Sequence, residues 1–348
     1  MSAPTAFDRL VQYVTPFGIA LVGVGLFHLL HLPLPWLLGP IMACLVAALL
    51  GLRMRGIGVV NNTMRTILGV AVGASFTPVV LASMLGMWPT LLLVPLMIIC
   101  IGFVGVPYFQ KLCGYDFPTS YYAAMPGGLQ DMLLFGEEAG GNPRALSLIH
   151  ATRILVIVVS LPFVLQAFWQ ADLSNPPGAP LTSIALDQLL IMVICAIGGW
   201  RVAKALGLFG ASILGPLIAA AIAALSGVLE HRPPAEAVWL AQFFIGMTVG
   251  VKYTGITMAE VRHDLVAGLG FCCILLVLTF FFVEIVYTLG LAPGMEALLA
   301  FAPGGQAEMT VLALIVGADM AFVVAHHVLR IVVVIVGAPF FARFFESR

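Results

Sequence analysis

Charge is what this sequence has least of. Only 9% of its 348 residues are Asp, Glu, Lys or Arg, where a soluble domain carries about 25%. Such a chain cannot cover itself with a polar surface, which excludes an ordinary water-soluble fold. The formal net charge is −1 and no basic run occurs, so the electrostatic footprint of a nucleic-acid binder is missing. The six cysteines show no C-x-x-C spacing; five lie in apolar runs and Cys113 in a short loop. They read as small packing residues rather than a disulfide or zinc framework. Seven histidines include no H-x-x-x-H or H-x-H pair, and the side chains of His326 and His327 diverge by about 100° on a helix. The sequence calls for no metal and no cofactor. It also has no glycine-rich nucleotide-binding loop and no sizeable soluble domain.

What fills the chain instead is apolar sequence: 61% hydrophobic residues and a mean hydropathy of +1.11. Runs of roughly 17–25 apolar residues, the span of a bilayer core, recur along its length. Expected spans fall near Val14–Leu30, Trp36–Leu52, Thr63–Leu85, Thr90–Phe109 and Arg144–Trp169, then Ile184–Trp200, Leu208–Leu229, Val238–Met258, Leu265–Gly290 and Asp319–Phe341. The first has no A-x-A-like cleavage site after it and reads as an uncleaved membrane helix. The prolines of His31-Leu32-Pro33-Leu34-Pro35 make a tight turn, and Asp172–Pro180 is a polar, proline-rich linker.

One stretch occurs twice. Met125-Pro126-Gly127-Gly128-Leu129-Gln130-Asp131-Met132 returns as Ala302-Pro303-Gly304-Gly305-Gln306-Ala307-Glu308-Met309. Each copy is followed by His-x-x-Arg, first His150 and Arg153, then His327 and Arg330. The offset is 177 residues throughout, and Gly69-x-x-x-Gly73 matches Gly246-x-x-x-Gly250 at the same offset. Leu38-Gly39-Pro40 matches Leu214-Gly215-Pro216 at 176. The expected organisation is a membrane repeat over 1–170, a linker over 171–183 and a second membrane repeat over 184–348.

Charge placement orients the repeats, because cytoplasmic loops carry an excess of Lys and Arg. If the N-terminus is inside and each Pro-Gly-Gly segment re-enters on its own side, five spans per repeat give ten in all. Arg9, Arg53, Arg55, Arg65, Lys111, Arg144, Arg201, Lys204, Lys252, Arg262, Arg343 and Arg348 then fall on or near the cytoplasmic side, and only Arg232 falls outside. An odd count inverts the second repeat. The fold expected is an all-α polytopic membrane protein of two inverted repeats, about five transmembrane helices each, with a broken or re-entrant Pro-Gly-Gly segment in each. A variant in which those segments cross, and the first two spans form one bent unit, keeps the odd count.

The duplicated break is the candidate site. Proline stops a helix, and non-helical backbone is tolerated at membrane depth only where protein or a water-filled cavity satisfies it. Paired breaks at equivalent places in two repeats point to a transporter's binding site. Pro126, Gly127, Gly128, Pro303, Gly304 and Gly305 therefore read as substrate-binding backbone, against a plain loop between short helices. Arg153 and Arg330 lie about ten residues into their spans, roughly 15 Å deep. Each reads either as a clamp for a carboxylate, sulfonate or phosphate group, or as half of a buried ion pair with Asp131 or Glu308. Asp131 and Glu308 read as proton- or cation-binding carboxylates, against helix capping. His150 and His327 read as titrating groups, against packing histidines. The paired glycines 69/73 and 246/250 read as close helix packing, with Thr77 and Thr254 beyond them.

Over nearly its whole length the chain resembles the AbrB-type duplicated membrane proteins of bacteria. The resemblance rests on the doubled Leu-Gly-Pro, Pro-Gly-Gly-x-x-Asp/Glu-Met and His-x-x-Arg landmarks. That family carries conflicting labels: transporter, ammonia monooxygenase and regulator of gene expression. The resemblance implies an integral inner-membrane protein of two repeats and supplies no site residues. The function expected is a secondary transporter, not an enzyme, moving a small anionic solute by alternating access with proton coupling. The alternatives are a membrane oxidoreductase and a membrane-bound regulator. Expected partners are the solute, the lipid bilayer and a further copy of the chain; both termini are expected in the cytoplasm.

Overall fold

The computed structural model describes residues 6–78, 82, 86–173, 176–208, 211–257, 259 and 261–346. All regular elements among the described residues are helices. The first half supplies α1 (Ala6–Leu29), α2 (Pro35–Leu49), α3 (Gly58–Gly73), α4 (Trp88–Pro107), α5 (Phe117–Ala124), α6 (Leu129–Glu138) and α7 (Pro143–Trp169). The second supplies α8 (Leu186–Ala205), α9 (Ala211–Leu225), α10 (Ala235–Val251), α11 (Val266–Thr288), α12 (Gly294–Phe301), α13 (Gln306–Val316) and α14 (Met320–Glu346). Helix lengths recur with the landmarks: α2 and α9 have 15 residues each, α5 and α12 have 8, and α7 and α14 have 27. A π-helical turn ends α4 at Tyr108–Leu112, and another precedes α11 at Val261–Leu265; neither has a signature in hydropathy or spacing.

Among the described residues, six helical segments are long and apolar enough to cross a membrane: Val11–Leu29, Trp88–Leu112, Pro143–Trp169, Leu186–Ala205, Arg262–Thr288 and Met320–Ala338. The other four expected spans are helices too, but α2, α3, α9 and α10 have only 15, 16, 15 and 17 residues. At 1.5 Å per residue these reach about 22–26 Å, short of a ~30 Å hydrocarbon core. The expected span Thr63–Leu85 begins earlier, at Gly58, and stops at Gly73. Thr77 beyond it lies in non-helical chain before Pro78, and residues 79–81 and 83–85 are outside the described set. Thr254 likewise falls in the turn after α10, ahead of Gly255 at φ 78. Residues 174–175 of the expected linker, 209–210 of the expected seventh span and Met258 also lie outside the described residues.

The chain forms two compact units, and neither is a sequence half. The first contains Met1–Ser83, Pro162–Ile256 and Thr310–Ala321. Its packing is reciprocal. In α3, a Cβ at Gly69 or Gly73 would strike the carbonyls of Ile213 or Leu217 in α9. In α10, a Cβ at Gly246 or Gly250 would strike those of Leu37 or Ile41 in α2. Each half therefore supplies the glycine face that the other half's Leu-Gly-Pro helix packs on, as small-x-x-x-small motifs allow. Contacts in which residue i meets j, and i's equivalent meets j's equivalent, define a two-fold relation. Elsewhere in this unit Trp36 stacks on Trp239 with ring centres 6.3 Å apart. Gln188, buried, donates to Val228 O (3.2 Å) and accepts from Glu230 N (2.9 Å). All six cysteines of the chain are unbridged.

The second unit contains Met84–Leu161, Thr257–Met309 and Phe322–Arg348. Its core is aromatic where α4 meets α11: Phe109 and Phe271 are 4.8 Å apart, and the Tyr108 hydroxyl donates to Ala267 O at 3.0 Å. Phe282 of α11 stacks on Phe301 of α12 at 6.1 Å. At the start of α11, Asp264 accepts from the Tyr115 hydroxyl at 2.7 Å and lies 2.9 Å from His263 Nδ1, while His263 Nε2 donates to Cys113 O at 3.1 Å. These bonds close the α4–α5 loop onto the helix that follows in space.

Candidate functional site

Both Pro-Gly-Gly segments lie in the second unit, and one physical cause shapes them. A residue before proline is pushed out of the α region. Met125 accordingly ends α5 at φ −67, ψ 127, and Ala302 ends α12 at φ −60, ψ 125. After the break the chain turns back. The Asn142 amide donates to Thr119 Oγ1 at 2.8 Å, Tyr122 and Phe135 have ring centres 6.5 Å apart, and Gly136 lies against Tyr122. The end of α6 has thus returned to the start of α5, so the two helices form a hairpin with Pro126-Gly127-Gly128 at its tip. Met132, fully buried, packs back over Gly127, and Met309, fully buried, over Gly304.

The breaks leave carbonyls without helical partners, and the His-x-x-Arg pairs take them. His150 donates from Nε2 to Tyr122 O at 3.0 Å, and Arg153 donates to Met125 O (3.2 Å) and Gly127 O (2.9 Å). In the other copy His327 donates to Leu299 O at 2.9 Å, and Arg330 donates to Ala302 O (2.8 Å) and Gly304 O (2.9 Å). The three bonds recur at the 177-residue offset, carbonyl for carbonyl. One turn of α7 or α14 thus caps one broken helix, with the rigid guanidinium fork spanning two carbonyls.

The charge of these arginines is unmatched. Arg153 is 2% exposed and Arg330 5%. Among the described residues, neither Asp131 nor Glu308 pairs with either guanidinium, and the charged group that acts on Arg330 is Arg153. Of the two readings open in the sequence, buried ion pair or clamp, the ion pair is not formed. Burial of an unpaired guanidinium costs several kcal/mol, while a helix C-terminus returns at most about 2 kcal/mol. Each Nε is also buried without a hydrogen-bond partner.

The acids sit elsewhere. Asp131 is half-buried in the first turn of α6. Glu308 is buried in the first turn of α13, its carboxylate folded over Gly305, where a Cβ would strike it. Pro126, Gly127, Pro303 and Gly304 are buried, and Gly128 and Gly305 half-buried. The two breaks share surroundings: a Cβ at Gly304 would lie 3.2 Å from Ile157, one turn past Arg153 on α7. A cavity of about 10 Å³ adjoins Arg330, lined also by His326, by Ala300 and Phe301 of α12, and by apolar residues of α4. His326 is the residue sequence reasoning passed over. Its signal was there: at the 177-residue offset its counterpart is Ile149, so a histidine breaks the repeat. No group of three or more His, Cys, Asp or Glu side chains that could hold a metal ion occurs among the described residues.

A family profile described as "Transition state regulatory protein AbrB" matches residues 36–346. A Bacillus subtilis (strain 168) relative, "Uncharacterized protein YhjN", is 28% identical over 292 residues, 80% of this chain and 76% of the relative. An Escherichia coli (strain K12) relative, "Putative regulator AbrB", is 23% identical over 342 residues, 94% of each chain.

Proposed function

The chain belongs to the AbrB family of membrane proteins, and from that premise we propose that it is a secondary transporter of a small anionic solute, worked by alternating access and driven by a proton gradient. One observation carries the reading: two buried guanidiniums, at equivalent helix breaks, have no carboxylate partner among the described residues. An anion arriving between the breaks supplies the counter-charge. Arginine offers five donors, and two on each residue are committed to break carbonyls. The remainder, Nε included, are suited to carboxylate, sulfonate or phosphate oxygens. In this reading Asp131, Glu308, His150 and His327 serve the coupling proton.

The hairpin geometry of α5 and α6 supports re-entry of the first break on the side it came from, hence five crossings per repeat and an inverted second half. The positive-inside distribution then puts both termini in the cytoplasm of a bacterial inner membrane. The name of the Escherichia coli relative favours a second reading, a membrane-bound regulator whose effect on gene expression runs through a partner or the solute itself.

The test is flux into proteoliposomes with a panel of small anions under an imposed pH gradient. Wild type should show saturable uptake that collapses with the gradient. Arg153→Lys and Arg330→Lys, which keep the charge but lose the fork, should cut it by about tenfold or more while remaining monodisperse. Absence of uptake across the panel, or wild-type flux in both variants, overturns the proposal.

A further inference from the structure

His326 and Arg330 stand one helical turn apart on α14 and line the same small cavity. The histidine is fully buried, and its Nδ1 donates to Phe322 O at 2.7 Å. A carbonyl only accepts, so that bond fixes the tautomer: the proton is on Nδ1, and in the neutral ring Nε2 is an acceptor. Nε2 has no partner. Arg330 Nε, a donor only, has none either. The cavity's lining thus includes one buried side chain with an idle acceptor and one with an idle donor, bonds that are costly to leave unmade.

The cavity measures about 10 Å³, enough for about one water-sized group. A single heavy atom that satisfies both neighbours must accept from Arg330 and donate to His326. A hydroxyl does this; a methyl, a carbonyl or a carboxylate oxygen does not. The rest of the lining is apolar, including Phe301, whose ring lies 5.5 Å from that of His326, so no other side chain there competes for the hydroxyl. The first repeat has no such feature, because its equivalent of His326 is Ile149. An otherwise two-fold arrangement is therefore made one-sided at this point, as a solute without two-fold symmetry requires.

We infer that the solute is a small hydroxylated anion, a hydroxy acid or hydroxy sulfonate, whose hydroxyl enters this cavity between His326 and Arg330 while its anionic group faces the arginines. The inference rests on the transporter reading and narrows its substrate class. The hydroxyl could also be that of a water molecule, and the test separates the two.

Uptake into proteoliposomes is compared within two near-isosteric pairs, glycolate against propionate and isethionate against propanesulfonate, with protein-free liposomes measuring passive leak. Wild type should prefer the hydroxylated member of at least one pair by about tenfold or more in uptake at limiting concentration. His326→Ile, which installs the first repeat's residue, should reduce that preference to about unity while still moving the plain anion. His326→Gln, which retains an acceptor oxygen, should keep part of the preference and guards against a folding defect in the first variant. Transport of both members with no preference, or a preference that survives in His326→Ile, shows that the cavity takes water and overturns the inference alone. Failure of all four to move overturns the inference, and the transporter reading falls with it only if the wider panel of small anions is silent too.

Discussion

Replacing both arginines tests whether the two breaks share one electrostatic environment. Arg153→Met removes two charge-assisted bonds, to Met125 O and Gly127 O, worth about 1.5–3 kcal/mol each. Arg330→Met removes the same pair at Ala302 O and Gly304 O. Each single substitution also relieves the repulsion that Arg153 exerts on Arg330. At an effective dielectric of about 20, that repulsion is on the order of 1–2 kcal/mol. A single variant should therefore lose the bonds and regain the repulsion, a net destabilisation of roughly 1–5 kcal/mol. The double variant loses four bonds but regains the repulsion only once. Its cost should exceed the sum of the singles by the repulsion itself, on the order of 1–2 kcal/mol. Unfolding of all four proteins in mixed micelles against SDS mole fraction gives the cycle. A double variant that matches or undercuts the sum refutes the claim that the two charges meet.

Two further outcomes follow from elements outside the candidate site. Burial pushes the Cys113 thiol above its ordinary range, so its thiolate, the reactive form, should become abundant only at higher pH than in a free cysteine. A membrane-impermeant maleimide should thus label Cys113 slowly at pH 7 and faster as pH rises, and only from the cytoplasmic face if the proposed orientation holds; labelling in right-side-out and inverted vesicles checks both. Gly73→Leu and Gly250→Leu each drive a side chain into a carbonyl of the facing helix, an overpacking cost of about 1–3 kcal/mol or more; thermal stability in detergent should fall by comparable amounts in the two.

Much of this arrangement could be read from the sequence because the duplication prints each constraint twice. Helix-breaking prolines at 126 and 303 announced the breaks, and the x-Pro restriction acts locally, so the structure follows the sequence there almost residue by residue. What could not be read was which groups would meet. The spacing from Asp131 to Arg153 matches that from Glu308 to Arg330, so an ion pair was as consistent with sequence as a clamp. Backbone carbonyls, the partners the arginines found, carry no side-chain signature at all. The lengths of α3 and α10 were overestimated for a related reason. Hydropathy continues past Gly73 and Val251, but the helix does not: the residue before Pro78 is pushed out of the helical region, and Gly255 adopts φ 78.

The reciprocal glycine packing has a consequence for synthesis. When the ribosome has delivered only the first half, α2 and α3 have been made, but the helices that cover their glycine and Leu-Gly-Pro faces, α10 and α9, do not yet exist. α2 can already lie against α1, where Gly23 and Gly39 approach closely, but α3 and the remaining face of α2 must wait for their partners, and the nascent chain becomes committed to its fold only once its later portion is inserted. By the same logic the two portions need not share one peptide backbone: severed in the polar stretch near residue 172, they carry matching surfaces with which to find each other.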